Sequence, residues 1–217
     1  IYGDIGDYQK ALMLQEKCYM LHCKVLGLER PNTVWLLNSI ACIYINLSEY
    51  KKAIELLEKC YELYCGIFGE AHPDTVILLG NLGVGYRELE DYQKALALQE
   101  KCYKLYCETL GYEHPATINS LNNLACIYGD IENYQKAIEL LEKCYELRYK
   151  VLGEKHPSTI NSLNNIACVY GDIENYPKAL ELFKKCYDLR CEVLGENHPD
   201  TLETLEALNI VRKKLQN

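Results

Sequence analysis

Cysteine is the residue type in this sequence with the most potential for metal or redox chemistry. All 12 cysteines belong to three sets, and within each set the members are 42 residues apart or a multiple of it. The sets are Cys18, Cys60, Cys102, Cys144 and Cys186; Cys42, Cys126 and Cys168; and Cys23, Cys65, Cys107 and Cys191. The first and third sets lie five residues apart, so on a helix their side chains diverge by about 140°. Because no Cys-x-x-Cys pair occurs, we expect reduced, small packing side chains and no metal or disulfide framework.

Four His-Pro pairs are the next candidates for metal or acid–base chemistry. Their histidines are His72, His114, His156 and His198. One pair occurs in every 42 residues, so neighbouring histidines are expected to lie about one repeat apart. We therefore expect each His-Pro pair to shape the entry into the helix that follows it, where proline is favoured in the first turn.

No familiar catalytic constellation stands out among the remaining polar residues. There is no Ser-His-Asp set and no phosphate-binding glycine loop. Carboxylates such as Glu139 and Glu146 lie four residues before Lys143 and Lys150, which is the spacing of surface ion pairs on a helix. We expect no catalytic residue, no cofactor and no enzymatic activity.

Composition and charge describe an acidic globular chain. Hydrophobic residues make up 49% and charged residues 25%, the formal net charge is −8, and the pI is about 5.2. Such a chain repels nucleic-acid phosphates and anionic membrane surfaces. No apolar run approaches the roughly 18 residues of a membrane span, and the first residues lack a signal-peptide pattern. We expect a cytoplasmic protein that binds neither nucleic acid nor membranes.

A repeat of 42 residues organises the whole sequence. It is marked by Pro31, Pro73, Pro115, Pro157 and Pro199. Residues 115–156 and 157–198 differ at only 11 of 42 positions. Units of this kind bury a continuous core only when they stack. We expect one array over 1–217, made of a partial repeat (1–30), full repeats (31–72, 73–114, 115–156, 157–198) and a capping helix (199–217).

Each repeat is predicted to contain two helices. In the third full repeat, apolar residues at helical spacing predict helix A over Thr117–Tyr128. Helix B is predicted over Tyr134–Leu152, with Asn133 as its N-cap and Gly153 ending it.

The two ends of the sequence lack complete repeats. Ile1 and Tyr2 are assigned to the last turn of a helix A, so the first complete element is a helix B over Tyr8–Leu26. A lone helix A is expected over Thr201–Leu215. Its expected apolar face carries Leu202, Leu205, Leu208 and Val211. The first helix would leave an apolar strip open, which predicts weak head-to-tail self-association.

The repeats resemble the tetratricopeptide repeat, in the longer form found in kinesin light chains. The matching residues in the third full repeat are Leu121, Leu124, Ala125, Tyr128, Ala137, Leu141 and Cys144. The sequence segments at 121–125 and 152–157 resemble the kinesin light chain type. The resemblance to the repeat covers the whole chain. It implies an all-α fold, a right-handed superhelical α-solenoid of antiparallel two-helix repeats.

The resemblance also implies where a partner would bind, because helix A lines the concave groove in such arrays. The groove residues it implies are Trp35, Asn38, Asn81, Arg87, Asn119, Asn122, Asn123, Asn161, Asn164 and Asn165. Asparagine both donates and accepts hydrogen bonds, so a ladder of asparagines suits the backbone of an extended peptide.

Three functions are compatible with such an array. The first is a scaffold for protein–protein interaction that binds a peptide or partner protein along the groove. The second is a structural or self-assembling array without a specific peptide ligand, which the near-identity of 115–156 and 157–198 favours. The third is a regulatory module of an enzyme that lies outside this sequence. Of these, the asparagine ladder favours the scaffold.

Overall fold

A computed structural model describes residues 5–27 and 30–216, and all the regular structure within those residues is α-helical. The helices are α1 (Ile5–Leu26), α2 (Pro31–Asn46), α3 (Tyr50–Phe68), α4 (Pro73–Glu88), α5 (Tyr92–Leu110), α6 (Pro115–Asp130), α7 (Tyr134–Leu152), α8 (Pro157–Asp172), α9 (Tyr176–Leu194) and α10 (Pro199–Gln216). The chain forms two compact units, Ile1–Thr109 and Leu110–Asn217. The expectation for Ile1 and Tyr2 lies outside the described residues.

Successive helices pack against each other within each unit. In the first unit α2 contacts both α1 and α3, and α3 contacts α4; in the second, contacts run from α6 through α10 in chain order. The pairs are antiparallel, since the Tyr64 hydroxyl near the end of α3 donates to the carbonyl of Pro31 at the start of α2 (3.1 Å). The expected all-α class of antiparallel two-helix repeats is thus confirmed.

The helices of type A (α2, α4, α6, α8, α10) begin at a proline, and four of them are capped by histidine. The imidazole Nδ1 of His72, His114, His156 and His198 accepts the backbone N–H two residues later, at 3.1–3.3 Å. This confirms that the His-Pro pair shapes the helix entry. It also explains why α6 begins at Pro115, two residues before the predicted start, because the cap satisfies a donor in its first turn.

The helices of type B (α3, α5, α7, α9) are bounded by local signals that the sequence carries. The Asn133 side chain accepts the backbone N–H of Lys136 (3.3 Å), as expected for an N-cap. Helix α7 ends at Gly153, whose φ of 84° lies in the left-handed region where a side chain is disfavoured. Both predictions for this helix are confirmed.

Small side chains let helices A and B approach closely. Ala125 and Ala137 are fully buried, and four equivalent cysteines are 0–1% exposed. The thiols of these cysteines each lie 3.5–3.7 Å from a helix-A carbonyl 26 residues earlier, to which they donate. They are Cys60, Cys102, Cys144 and Cys186. In these four repeats, cysteine at this position therefore packs as a small buried residue, as expected.

In the repeat at 73–114, two residues that face each other across the helix pair differ from their equivalents in the neighbouring repeats. Gln99 is fully buried where the neighbouring repeats have Leu57 and Leu141, and its Nε2 donates to the carbonyl of Gly80 (3.0 Å). Its Oε1 is buried without a partner within the described chain. A Cβ on Gly83 would lie 2.9 Å from Gln99 Cγ, so a side chain at position 83 would force the buried Gln99 side chain to move.

The terminal helices differ from expectation in their starts and in one exposed residue. Helix α1 begins at Ile5 and not at Tyr8, and α10 begins at Pro199 and not at Thr201. Leu208 and Val211 of α10 are buried, but Leu202 is 49% exposed although it was expected on the same apolar face. Its equivalent in the preceding repeat, Ile160, packs near Cys186 of the following helix B, and α10 has no helix after it in this sequence. At the other end, Leu14 and Leu21 of α1 are exposed, as the predicted apolar strip requires. Within the described residues, none of the helices combines the length with the hydrophobicity of a membrane-spanning segment.

Candidate functional site

In the first unit, the structure joins two of the predicted groove residues directly. Asn81 Nδ2 on α4 donates to Asn38 Oδ1 on α2 at 2.9 Å, and it lies 3.8 Å from Cys42 Sγ. The two helices are of type A in consecutive repeats, so this amide pair bridges neighbouring repeats. Trp35 lies one turn before Asn38 on α2 and is 37% exposed. Its indole is therefore partly available at the surface.

Arg87 is the basic residue among the predicted groove positions. It lies six residues after Asn81, which is about 9 Å along the axis of α4. Its guanidinium is 3.7 Å from the carboxylate of Glu88. The adjacent negative charge opposes the positive charge of Arg87, so this part of the helix is not strongly cationic.

In the second unit, the amide pairing recurs at equivalent positions. Asn165 Nδ2 on α8 donates to Asn122 Oδ1 on α6 at 3.2 Å. Asn122 and Asn164 each also approach a cysteine one turn later on the same helix, at 3.7 and 3.8 Å. Asn123 is partly buried next to Asn122. The structure therefore brings Asn122 and Asn165 together and leaves Asn123 outside this pair.

Asn119 and Asn161 have a different role, because each accepts a hydrogen bond from an arginine of helix B. Asn119 Oδ1 is 2.8 Å from Arg148 Nη2, and Asn161 Oδ1 is 2.7 Å from Arg190 Nη2. Both arginines are at least nine-tenths buried. Sequence reasoning missed them. The sequence did contain a signal for them. An arginine occurs twice, 42 residues apart, at the helix-B position where the first full repeat has Tyr64.

The asparagine pair of the second unit retains unused hydrogen-bonding capacity, whereas Asn38 of the first unit's pair is only 5% exposed. An amide has two N–H donors and two acceptor lone pairs, and the bridge between Asn122 and Asn165 uses one donor and one acceptor. About 10 Å further along α8 from Asn165, burial raises the pKa of the Asp172 carboxyl. The face therefore combines neutral amides with an acidic residue, which suits a backbone-like ligand better than an anionic one.

The described residues contain no group of three or more His, Cys, Asp or Glu side chains placed to hold a metal ion. Within the described residues, no disulfide joins any two of the cysteines. The side chains at the predicted groove positions offer hydrogen bonding and apolar contact.

Comparison with known structures finds proteins built from similar repeats. A crystal structure of a putative kinesin light chain from Podosopora anserina with nearly identical TPR-like repeats is 26% identical, with a TM-score of 0.69, and the match covers 87% of this chain and 90% of that one. A form of the same protein with a single substitution is 27% identical, with a TM-score of 0.72 and coverage of 86% and 88%.

A third structure supports the fold alone. BtubC (BKLC) from P. vanneervenii is 18% identical, with a TM-score of 0.74, and the match covers 98% of this chain and 83% of that one. No curated protein sequence matches this chain significantly.

The sequence profile of a repeat family accounts for most of the chain. The profile, described as tetratricopeptide repeat, matches residues 1–66, 47–108, 74–150 and 132–192. These matches extend through the helices that carry the asparagine pairs in both units. With the two-helix repeats, the histidine caps and the structural relatives, they establish that the chain belongs to the tetratricopeptide repeat family, in its kinesin light chain-like form.

Proposed function

We propose that this chain is a scaffold that binds an extended segment of a partner protein along the type-A helices. Proteins of this repeat family generally serve as protein-interaction scaffolds and are typically not enzymes. The observation that carries the proposal is the recurrence of an amide pair on consecutive A helices, at Asn38–Asn81 and again at Asn122–Asn165. A partner's backbone offers the same amide chemistry at regular intervals, so a row of amides can bind it without a charge requirement.

The charges near these amides argue against a strongly acidic ligand. Arg87 lies beside Glu88, and Asp172 lies at the end of α8. Trp35 adds an exposed aromatic surface, the type of residue that often dominates binding energy at interfaces. In each unit the amides and the nearby charges therefore suit a neutral extended segment, and in the first unit Trp35 can also contact a large apolar side chain of it.

The test uses peptides selected from a random library against the immobilised chain. Their affinity is then measured by fluorescence anisotropy for the native chain and for a variant with Asn123→Ala and Asn164→Ala. These two positions are chosen because Asn122 and Asn165 also bridge α6 and α8. We expect affinity to fall by about tenfold or more, since each lost hydrogen bond is worth about 1 kcal/mol.

The matched control replaces Glu142 and Lys184 with alanine. These residues are exposed at equivalent positions of α7 and α9, and the double change leaves the net charge as it was. The control should bind peptides like the native chain. Equal affinities for the asparagine variant and the control would show that Asn123 and Asn164, the amides of α6 and α8 outside the bridging pair, do not bind the peptides.

A second type of interaction is favoured by the exposed face of α1. Met13, Leu14, Met20, Leu21 and Val25 are between 54% and 78% exposed. Contiguous apolar surface of this kind is uncommon on isolated monomers. We propose weak association between copies of this chain through α1, in addition to peptide binding.

A further inference from the structure

A small cavity lies within the second unit, beside the last turns of α7. Its volume is about 230 Å³. One wall is apolar and is formed by Pro115 and Ile118 of α6 and by Val151 and Leu152 of α7. This volume is below the range of drug-sized pockets, so the cavity suits a group the size of a side chain.

A buried guanidinium forms the polar end of this cavity. Arg148 is only 7% exposed, and in the described chain it forms no ion pair with a carboxylate. Its Nη1 donates to the carbonyl of Ser158 (3.1 Å) and to the Ser162 hydroxyl (2.6 Å), and Nη2 donates to Asn119 Oδ1 (2.8 Å). All three acceptors are neutral. Because a guanidinium has five N–H donors, two remain for a ligand.

The other polar groups around the cavity are also donors. Nδ1 of His156 accepts the backbone N–H of Ser158 (3.1 Å), so a neutral imidazole carries its proton on Nε2. Asn119 uses its oxygen for Arg148, which leaves its amide N–H groups available. Among the residues that line the cavity there is no aspartate or glutamate. The cavity is therefore cationic, rich in donors and bounded by an apolar wall.

We propose that this cavity binds a carboxylate that carries a short aliphatic group. The carboxylate oxygens accept hydrogen bonds from Arg148, with His156 and Asn119 as further donors, and the aliphatic part packs on Ile118 and Val151. A bound anion also compensates the buried positive charge, which the neutral acceptors satisfy only partly. The site does not depend on the peptide binding proposed above.

The next repeat provides a natural comparison for this cavity. Arg190 is equivalent to Arg148, and it donates to the carbonyl of Asp200, to the hydroxyl of Thr204 and to Asn161 Oδ1 (2.7 Å). At the position equivalent to Ser158, this repeat has Asp200, whose side chain is a carboxylate. The substitution Ser158→Asp copies that arrangement into the proposed site, and the fold already tolerates aspartate at this position.

The experiment is an NMR titration of the ¹⁵N-labelled chain with isovalerate, with isovaleramide as the uncharged control. We expect saturable shifts of the Arg148 Nε–H signal and of the backbone amides of His156 and Ser158 with the acid only. Ser158→Asp should weaken binding by about tenfold or more, because it places a like charge beside the ligand. Arg190→Met should leave the affinity unchanged, whereas Arg148→Met should abolish binding.

Two dipeptides identify the source of the carboxylate. N-acetyl-Ala-Val with a free C-terminus is compared with its C-terminal amide: binding of the free acid assigns the site to a chain terminus, and binding of isovalerate alone assigns it to a small free acid. Equal shifts with isovalerate and isovaleramide would overturn the proposal, as would unchanged isovalerate binding by Ser158→Asp. The Ser158→Asp arm stays decisive even if Arg148→Met fails to fold.

Discussion

Four equivalent thiols on helices of type B show how burial determines the chemistry of a side chain. Burial is the main cause that raises the pKa of Cys60, Cys102, Cys144 and Cys186 to about 12. Their equivalent in the first helix, Cys18, is exposed. Since the thiolate is the reactive form, the four buried thiols are inert near neutral pH, in addition to being inaccessible.

Alkylation should therefore distinguish residues that share one repeat position. With iodoacetamide at pH 8, we expect Cys18 to be modified first and the four buried cysteines to be protected as long as the chain is folded. Mass spectrometry of digested samples measures each site, and denatured protein is the control in which all sites react. Similar rates at Cys18 and Cys144 in the folded chain would contradict the packing described here.

At the scale of single residues, the burial of two arginines could not be predicted from the sequence. Arg148 and Arg190 were not predicted as interior residues, because basic side chains are normally exposed on a helix. Their burial depends on three neutral acceptors each, contributed by the helix before and the helix after the one that carries the arginine. Such a set of acceptors is visible only once the helices are placed.

At the scale of single helices, His114 is suited to a test of the histidine cap, because capping α6 is the role that the structure shows for it. His114 Nδ1 accepts the backbone N–H of Ala116 (3.2 Å) at the start of α6. We expect His114→Ala to lower the free energy of unfolding by about 1 kcal/mol, which is the typical worth of an N-cap. Chemical denaturation measures the change. His114→Asn, which keeps a capping acceptor, should retain most of the stability, and equal losses in both variants would exclude capping as the role of His114.

The contact between α4 and α5 offers a second test at this scale, because Gly83 and Gln99 replace the alanine and leucine of the two neighbouring repeats, 31–72 and 115–156. We expect Gly83→Ala alone to be destabilising, since its Cβ would lie 2.9 Å from Gln99 Cγ. Gln99→Leu alone removes a buried oxygen without a partner. The double variant should be more stable than the native chain by about 1 kcal/mol or more, because alanine also favours the helix.

A thermal or chemical double-mutant cycle measures this coupling directly. The effect of Gly83→Ala should change sign between the glutamine and leucine backgrounds. If its effect were the same in both, the two residues would not be coupled and the close approach would be irrelevant to stability.

Much of each helix was predictable from the sequence, because its signals are local. Periodic apolar residues, Asn133 and Gly153 determined α7 to the residue, and the His-Pro pair explains the earlier start of α6. The bridges between Asn38 and Asn81 and between Asn122 and Asn165 were not predictable, because they depend on the lateral distance between A helices. The exposure of Leu202 likewise depends on which helix covers it.

For the whole molecule, the exposed face of α1 predicts weak association at high protein concentration. Leu14 and Leu21 are 64% and 61% exposed. Replacing both with glutamine should reduce the weight-average mass observed by sedimentation at high concentration, because the apolar contact area is lost. Tyr149→Gln, at an exposed site on α7, is the control and should behave like the native chain. Association that persists in the double variant would exclude this face.

Constant spacing of the helices also has a consequence for how the gene can change. Every type-A helix from α2 to α10 begins 42 residues after the one before it, and residues 115–156 and 157–198 differ at only 11 positions. Recombination between misaligned copies of the DNA that encodes such repeats removes or adds whole 126-nucleotide segments, three nucleotides for each of the 42 residues. The reading frame and the order of helices A and B then survive, and a repeat contacts mainly its neighbours. Related genes should consequently differ in length by whole multiples of this segment.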